Sequence, residues 1–324
     1  MRAEHACLEF QCPGPPASLS SAVRRFQPLY GQIQNRLRWR LFSDMSRGLR
    51  IALTVLFIAT ALGYLRAGDV KLEPGALLII EFPNVPDTLA TMETGRRQPA
   101  RLMAQLPANY SHAGKFPLFV FLNGGNGGRG DNLPLGWETV GSNDFICVNL
   151  PLFKRAPLDT NFWIAMPDFE IVSRAYRAML GKLIDTVPNV TPERSAFGGF
   201  SAGAHTAGVL LAGRDDFILN HFRAFYLLEG GFGPLAAHVL GSRTIKPYRF
   251  LIMRGDQPDD DPKYLPYFKA FDHLAQALEY SAQEQQLDFK YIVMKGYGHE
   301  LPLKYRALLG RWVRGEKLFE PEER

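Results

Sequence analysis

The pentapeptide GFSAG at 199–203 has the residue types of a nucleophilic serine site, in a G-x-S-x-G spacing. It follows the strand-like segment 194–200 and opens an apolar helical stretch at 202–213. A strand that turns sharply into a helix exposes the central hydroxyl, and the flanking glycines avoid a Cβ clash with nearby backbone. The helix N-terminus adds positive partial charge beside that hydroxyl. The pattern therefore predicts Ser201 as a nucleophile.

A serine hydroxyl needs a general base, and His299 is the histidine best placed for that role. It lies in the loop GYGHE at 296–300, directly after the strand-like segment 289–295. Ligands of open α/β sheets collect at this carboxyl edge. His205 is four residues past Ser201 on the helix and is expected to turn away from it, and His273 lies in a helical, partly exposed pattern. We therefore predict His299 as the base.

The third group is a carboxylate that orients the base, and here the sequence leaves several candidates. The acidic loop DQPDDDP at 256–262 follows the strand-like segment 249–255. We favour Asp259, because its carboxylate lies a few residues past the strand tip. The alternatives are Asp256, Asp260, Asp261 and Glu229, the last of which ends the preceding strand in LLEGGFG.

An oxyanion needs backbone N–H donors, and a glycine-rich turn NGGNGG at 123–128 follows the strand-like segment 117–123. Glycines let the amides approach a reacting carbonyl closely. We predict donors at Gly124 and Gly125 and a further one at Ala202, the residue after the nucleophile.

The same turn also matches the dinucleotide pattern G-x-G-x-x-G at 125–130. That site would need a helix starting there and an acid at the end of the next strand. Pro134 argues against the helix, and the next strand ends in Asn-Leu-Pro at 149–151. We therefore expect no dinucleotide and no other cofactor, and we predict no metal site.

Four segments together resemble the α/β-hydrolase superfamily, in particular its secreted esterase-like branch with polyhydroxyalkanoate-depolymerase-like and feruloyl-esterase-like proteins. They are LNGGNGG at 122–128, GFSAG at 199–203, MRGDQPD at 253–259 and GYGHELP at 296–302. The resemblance covers about residues 75–315 and implies Ser201 as nucleophile, His299 as base and an aspartate of 256–261 as acid. Asn123 stands where many lipases and esterases carry histidine.

The elements that would position these residues read as an α/β domain at 75–315. Strand-like runs are predicted at 76–82, 101–107, 117–123, 144–150, 194–200, 222–228, 249–255 and 289–295. Helical patterns are predicted at 168–186, 202–213, 264–284 and 301–314. Apolar strands alternating with helices indicate a mostly parallel eight-stranded sheet with helices on both faces. We expect no large cap domain, with the link from 153 to 168 as the source of a substrate wall.

The segment before this domain predicts export. Residues 51–65 are uncharged and apolar, and arginines flank them, as in a signal peptide or signal-anchor at 45–67. Residues 1–44 read as a disordered or mis-assigned leader, with translation starting at Met45. We expect the protein to be secreted or periplasmic. If residues 51–65 are not cleaved, we expect them to tether it to the membrane.

The charge balance does not indicate a nucleic-acid partner, and we expect none. Nine arginines and three acids give residues 1–67 a charge of +6, so the overall +5 leaves the remainder at −1. The motifs and the resemblance instead imply a serine hydrolase, with a small-molecule or polymeric ester as its partner. The alternatives are a peptidase or acyltransferase on the same scaffold, or a catalytically silent surface binding protein.

Overall fold

A computed structural model describes the chain at residues 71–93, 96–125, 127, 133–156, 164–231, 248–258, 265–284 and 286–318. Its strands are β1 (Leu77–Phe82), β2 (Leu89–Glu93), β3 (Arg96–Gln98), β4 (Ala100–Gln105), β5 (Phe116–Leu122), β6 (Ile146–Leu150), β7 (Leu152–Arg155), β8 (Val190–Phe200), β9 (Ala224–Leu228), β10 (Arg249–Gly255) and β11 (Asp288–Met294). Its α-helices are α1 (Leu133–Val140), α2 (Phe169–Thr186), α3 (Ala202–Ala212), α4 (Asp216–His221), α5 (Leu265–Glu284) and α6 (Leu303–Val313).

The main sheet has eight strands in the order β1-β4-β6-β5-β8-β9-β10-β11. The pairs β1–β4 and β4–β6 are antiparallel, and the remaining neighbours are parallel. Strands β5, β6 and β9 are buried along their whole length, as expected for strands covered on both faces. The predicted α/β class and mostly parallel eight-stranded sheet are therefore confirmed.

Helices cover both faces of this sheet. Buried residues of α2, α3 and α4 pack with Val120 and Phe197 in one cluster, to which α5 contributes Leu278. Residues of α1 and α6 pack on the other face with Phe119 and Tyr226. Helix α3 is apolar and small almost all round, and nearly all its residues are buried, which suits a helix in the middle of a domain. This arrangement fixes its N-terminus at the carboxyl edge of the sheet.

Two features differ from the sequence-based expectations. A small antiparallel sheet, β3-β2-β7, was not predicted. Helix α1 begins at Leu133 and includes Pro134, so the argument that this proline excludes a helix was wrong. Proline is tolerated in the first helical turn, because the N–H that it lacks would have no acceptor within the helix. The strand after α1, however, ends without an acid, at Asn149 and Leu150.

The predicted N-terminal leader is not among the residues that the structure describes. Both the predicted leader at 1–44 and the predicted signal or anchor segment at 45–67 fall outside them, as does the apolar run 51–65. Among the helices that the structure describes, none has both the length and the apolar character needed to cross a bilayer. Every described helix and strand lies within the range 75–315.

Candidate active site

Ser201 occupies the turn between β8 and α3 in a conformation rare for a residue with a side chain. Its φ is 53° and its ψ is −116°. Its N–H donates to the carbonyl of Leu228 at 2.8 Å, which fastens the turn to β9. A Cβ on Gly199 or Gly203 would lie 2.6 or 2.2 Å from the carbonyl oxygen of Leu122. The glycines are therefore needed where the turn crosses β5, as the pentapeptide indicates.

His299 meets Ser201 directly across 98 residues of sequence. Its Nε2 lies 2.8 Å from the Ser201 Oγ, within hydrogen-bond distance. The imidazole comes from the segment after β11, and the ring of Phe200 packs beside it with centroids 5.0 Å apart. The His299 side chain is 41% exposed, so solvent and a substrate can reach it. The structure thus brings the predicted nucleophile and base together.

The carboxylate that faces the far side of this imidazole belongs to Glu229. Its Oε2 lies 3.6 Å from the His299 Nδ1, which is long for a hydrogen bond. Such contacts are often loose without substrate and tighten in the reacting complex. The other carboxylate oxygen accepts the backbone N–H of Gly255. Glu229 is therefore held at the end of β9 between the base and the tip of β10.

The backbone at Glu229 explains how its side chain reaches the site. Its φ is 55°, a left-handed value, and its N–H donates to the Met253 carbonyl at 2.9 Å. A Cβ on the following Gly230 would lie 2.8 Å from the carbonyl oxygen of Ser201. The turn after β9 thus packs tightly against the turn that carries the nucleophile.

Burial governs the protonation of Glu229, whose side chain is only 10% exposed. Burial raises the pKa of this carboxyl above its ordinary value. The neighbouring His299, the N–H of Gly255 and the positive charge of Arg254 act in the opposite direction. These neighbours offset part of the effect of burial on the pKa of Glu229.

The acidic loop contributes differently. The carboxylate of Asp256 accepts the backbone N–H of Gly296 at 2.7 Å and the side-chain N–H of Gln257 at 3.0 Å, and it lies 3.9 Å from the Lys295 Nζ. It thus braces the segment that leads to the base. The favoured acid Asp259 and the alternatives Asp260 and Asp261 lie outside the described residues.

The glycine-rich turn after β5 lies beside the nucleophile. A Cβ on Gly124 would be 3.8 Å from the Ser201 Cβ. The Asn123 Nδ2 donates to the Gly127 carbonyl at 2.9 Å and to the Asn149 Oδ1 at 3.2 Å, and the Gly127 N–H donates to the Gly124 carbonyl. The side chain of Asn123, buried and central to these bonds, shapes the turn that holds Gly124 and Gly125.

Ala202 is the first residue of α3, where backbone N–H groups have no acceptor within the helix. Its amide and the Gly124 turn flank Ser201 from two elements. The roles of Gly124, Gly125 and Ala202 as donors stay predictions.

Other titratable candidates lie away from this chemistry. His205 bonds to the backbone of Ile164, and burial lowers its pKa. His273 is exposed on α5. Cys147 is buried in β6, where burial raises the pKa of its thiol to about 12 and leaves it unreactive. Within the described part of the chain, no group of three or more His, Cys, Asp or Glu side chains could hold a metal ion.

Comparisons with known proteins find distant structural likenesses. No family model matches the chain, and no curated protein matches it. A feruloyl esterase module from Clostridium thermocellum is 15% identical with a TM-score of 0.48, the match covering 79% of this chain and 96% of that one. An arylesterase is 13% identical with a TM-score of 0.48, covering 84% and 98%.

A dipeptidyl peptidase 4 from Porphyromonas gingivalis is 14% identical with a TM-score of 0.44, the match covering 72% of this chain and 36% of that one. The chain therefore spans about a third of that peptidase's length. The three matches share 13–15% identity and TM-scores of 0.44–0.48 with this chain, too little to assign it a superfamily or an activity. What the chain does has to be argued from the geometry around Ser201.

Proposed function

We propose that the chain is a serine hydrolase that cleaves carboxyl esters through an acyl-enzyme. One observation carries this proposal: the His299 Nε2 lies 2.8 Å from a serine hydroxyl that a strained strand-to-helix turn presents. The carboxylate of Glu229 stands behind the same imidazole. The base thus lies between the nucleophile and the acid, the arrangement that activates serine on several unrelated folds.

Acylation begins when the Ser201 Oγ attacks the ester carbonyl carbon while the His299 Nε2 takes the hydroxyl proton. A bond forms between Oγ and the carbonyl carbon, and the carbonyl π electrons move onto its oxygen. When this tetrahedral intermediate collapses, the bond to the alkoxy oxygen breaks and His299 gives its proton to the leaving alcohol. An acyl-serine remains.

Deacylation repeats these steps with water. His299 takes a proton from water, whose oxygen attacks the acyl carbon, and the Ser201 Oγ then leaves and regains the proton. The carboxylic acid product departs, and the free hydroxyl is restored. The exposed side of the imidazole gives water a route to the base.

Glu229 is our proposed acid. Its carboxylate opposes the Nδ1 of His299, where it would fix the tautomer with the proton on that nitrogen and stabilise the imidazolium that forms in each transition state. Asp259, favoured on sequence grounds, is the competing assignment. The two are separated by amide substitutions at each position.

The amides of Gly124, Gly125 and Ala202 are our proposed oxyanion donors. They come from a turn and a helix N-terminus, two backbone features whose N–H groups are fixed before substrate arrives. Loss of one such donor typically costs about 3–4 kcal/mol in the barrier. This donation acts only on the transition state, which is where rate enhancement originates.

The test is hydrolysis of p-nitrophenyl acetate by the full chain. We expect Ser201→Ala and His299→Ala to lower kcat by at least about 10⁴-fold. Ser142→Ala, at an exposed serine, and His273→Ala, at an exposed histidine, are the matched controls and should keep parental rates. A parent as slow as Ser201→Ala would favour the silent binding protein.

The class of substrate is tested by comparing other substrates with p-nitrophenyl acetate. Faster turnover of a peptide p-nitroanilide than of the ester would indicate a peptidase. Transfer of the acetyl group to an added alcohol in preference to water would indicate an acyltransferase. We expect neither, because His299 is open to water.

We also propose that the chain is exported, and tethered or released through the apolar residues 51–65. The support is their composition and their flanking arginines. Cell fractionation followed by N-terminal sequencing of the native product tests this. A cytosolic product that still carries residues 51–65 would contradict it.

A further inference from the structure

A buried arginine lies next to the proposed acid. Arg254 is 4% exposed, although an arginine is almost never buried without a partner group. Its Nε donates to the hydroxyl of Tyr291 on the neighbouring strand β11 at 2.8 Å. A guanidinium in this position is costly unless its charge is used.

The strand register places Arg254 beside Glu229. Strands β9 and β10 run parallel with Leu228 opposite Met253, and the next residues are Glu229, just past the end of β9, and Arg254 on β10. Glu229 also bonds to both residues that flank Arg254: its N–H donates to Met253, and its carboxylate accepts from Gly255. The acid is therefore anchored on the stretch of β10 that carries the arginine.

A buried acid beside a histidine base has a specific problem. Burial favours the protonated carboxyl, and a neutral carboxyl cannot stabilise an imidazolium. The positive charge of Arg254 opposes this effect of burial on the pKa of Glu229. An arginine suits the task because it stays charged at every pH at which the protein is folded.

We propose that Arg254 is a positioning residue that keeps the Glu229 carboxylate charged and aimed at His299, and that Tyr291 holds Arg254 in place. Hydrogen-bond or close polar contacts join Tyr291 to Arg254, Glu229 to His299 and His299 to Ser201, and the positive charge of Arg254 acts on Glu229. Its catalytic consequence rests on the proposed function, whereas its effect on Glu229 does not.

Other charged groups on the neighbouring segments have their own partners. From β10 and the turn after it, Asp256 bonds to Gly296 and lies near Lys295. From α3, His205 bonds to the backbone of Ile164. Within the described residues, His299 and Arg254 are the charges that act on Glu229.

The direct test is titration of the Glu229 carboxyl by ¹³C NMR in the full chain, with Glu229→Gln identifying its resonance. In Arg254→Met we expect the titration midpoint to rise by about one pH unit or more, because an opposite charge nearby is lost. Arg254→Lys should restore most of the difference. Arg249→Met, at the other end of the same strand, is the matched control and should leave the midpoint unchanged.

The second readout is the pH dependence of kcat/KM for p-nitrophenyl acetate. The acidic limb should move to higher pH in Arg254→Met and only slightly in Arg254→Lys. A merely structural arginine would instead lower kcat/KM by the same factor at every pH. That result, or an unchanged midpoint in folded Arg254→Met, would overturn the proposal.

Tyr291→Phe keeps the test decisive if Arg254→Met does not fold. It removes the hydroxyl that holds the guanidinium and should raise the midpoint by a smaller amount. An unchanged midpoint in folded Tyr291→Phe would then refute the role. The NMR titration needs no turnover, so an inactive parent would contradict the proposed function and leave this inference to be judged separately.

Discussion

Replacement of Glu229 by glutamine is the perturbation that most sharply divides the two assignments of the acid. Glutamine keeps the size of the side chain and an oxygen that can accept the Gly255 N–H. It removes the negative charge 3.6 Å from the His299 Nδ1. The substitution therefore changes the electrostatics of the base with little change in packing.

The expected loss follows from that distance. Two unit charges 3.6 Å apart interact by about 4.6 kcal/mol at an effective dielectric constant of about 20. Because the imidazole is 41% exposed, solvent screens part of this energy, and we expect about 3–4 kcal/mol in the barrier. Each 1.36 kcal/mol is about tenfold in rate, so kcat should fall by about 10²- to 10³-fold.

The assay is the steady-state hydrolysis of p-nitrophenyl acetate at pH 8, with circular dichroism confirming that each variant is folded. Asp259→Asn is the companion variant and should stay within about threefold of the parent. Glu229→Asp retains the charge but lengthens the gap to His299, so it should fall between Glu229→Gln and the parent. A parental rate in Glu229→Gln, with a loss above about 10²-fold in Asp259→Asn, would refute the reasoning and restore Asp259 as the acid.

The same substitution has a predictable effect on stability. The folded-state pKa of Glu229 is raised, so its contribution to stability is fully present below the unfolded value near 4.5 and is lost as the pH rises through the folded value. The free energy of unfolding of the parent, relative to Glu229→Gln, should therefore decline as the pH rises above about 4.5. Urea titrations between pH 4 and 8 would measure this, and a difference that grows with pH would contradict it.

The remaining predictions concern packing around the site. Gly203→Ala should destabilise the fold by about 3 kcal/mol in urea unfolding, because its Cβ would lie 2.2 Å from a carbonyl oxygen; Gly181→Ala, with open space around it, should change stability by no more than about 1 kcal/mol. Phe200→Leu should lower kcat/KM about 3- to 10-fold with KM nearly unchanged, since its ring packs on the His299 imidazole; a change confined to KM would contradict this. Cys147→Ala should leave the number of thiols that react with Ellman's reagent in the native protein unchanged and remove one after denaturation, because the thiol is buried.

The main sheet was predictable because several of its strands carry continuous apolar runs. All eight predicted strands are present, and β5, with seven buried residues, is the plainest case. The small sheet was not predictable in the same way. Strand β3 is the three-residue segment Arg96–Gln98, whose polar and exposed side chains give no hydrophobic pattern.

Ser201 and His299 were predictable because local motifs placed each at the carboxyl edge of the sheet. The acid was harder, because several carboxylates follow neighbouring strands and sequence spacing does not say which one turns toward the imidazole. Glu229 reaches it through a left-handed backbone conformation at the end of β9, and a close approach of Gly230 to Ser201 supports that turn. No sequence motif predicts either feature, although both lie in the segment LLEGGFG.

The buried arginine illustrates the same limit. Arg254 lies near the end of the strand RFLIMRG, directly after the apolar residues 250–253, where a charged residue reads as the end of the apolar run. Its meaning depends on the register of three strands, which brings Tyr291 and Glu229 to either side of it. Pairing across a sheet is a tertiary property, and the sequence of one strand does not encode its neighbours.

Peptide mass spectrometry of the full chain after reaction with a fluorophosphonate measures the reactivity of the serine itself, independent of any choice of ester. We predict a single phosphonyl adduct on the peptide that contains Ser201, with the labelling almost abolished in His299→Ala and unchanged in His273→Ala. A parent that stays unlabelled, or an adduct on another serine that persists in Ser201→Ala, would contradict a hydroxyl activated by this imidazole.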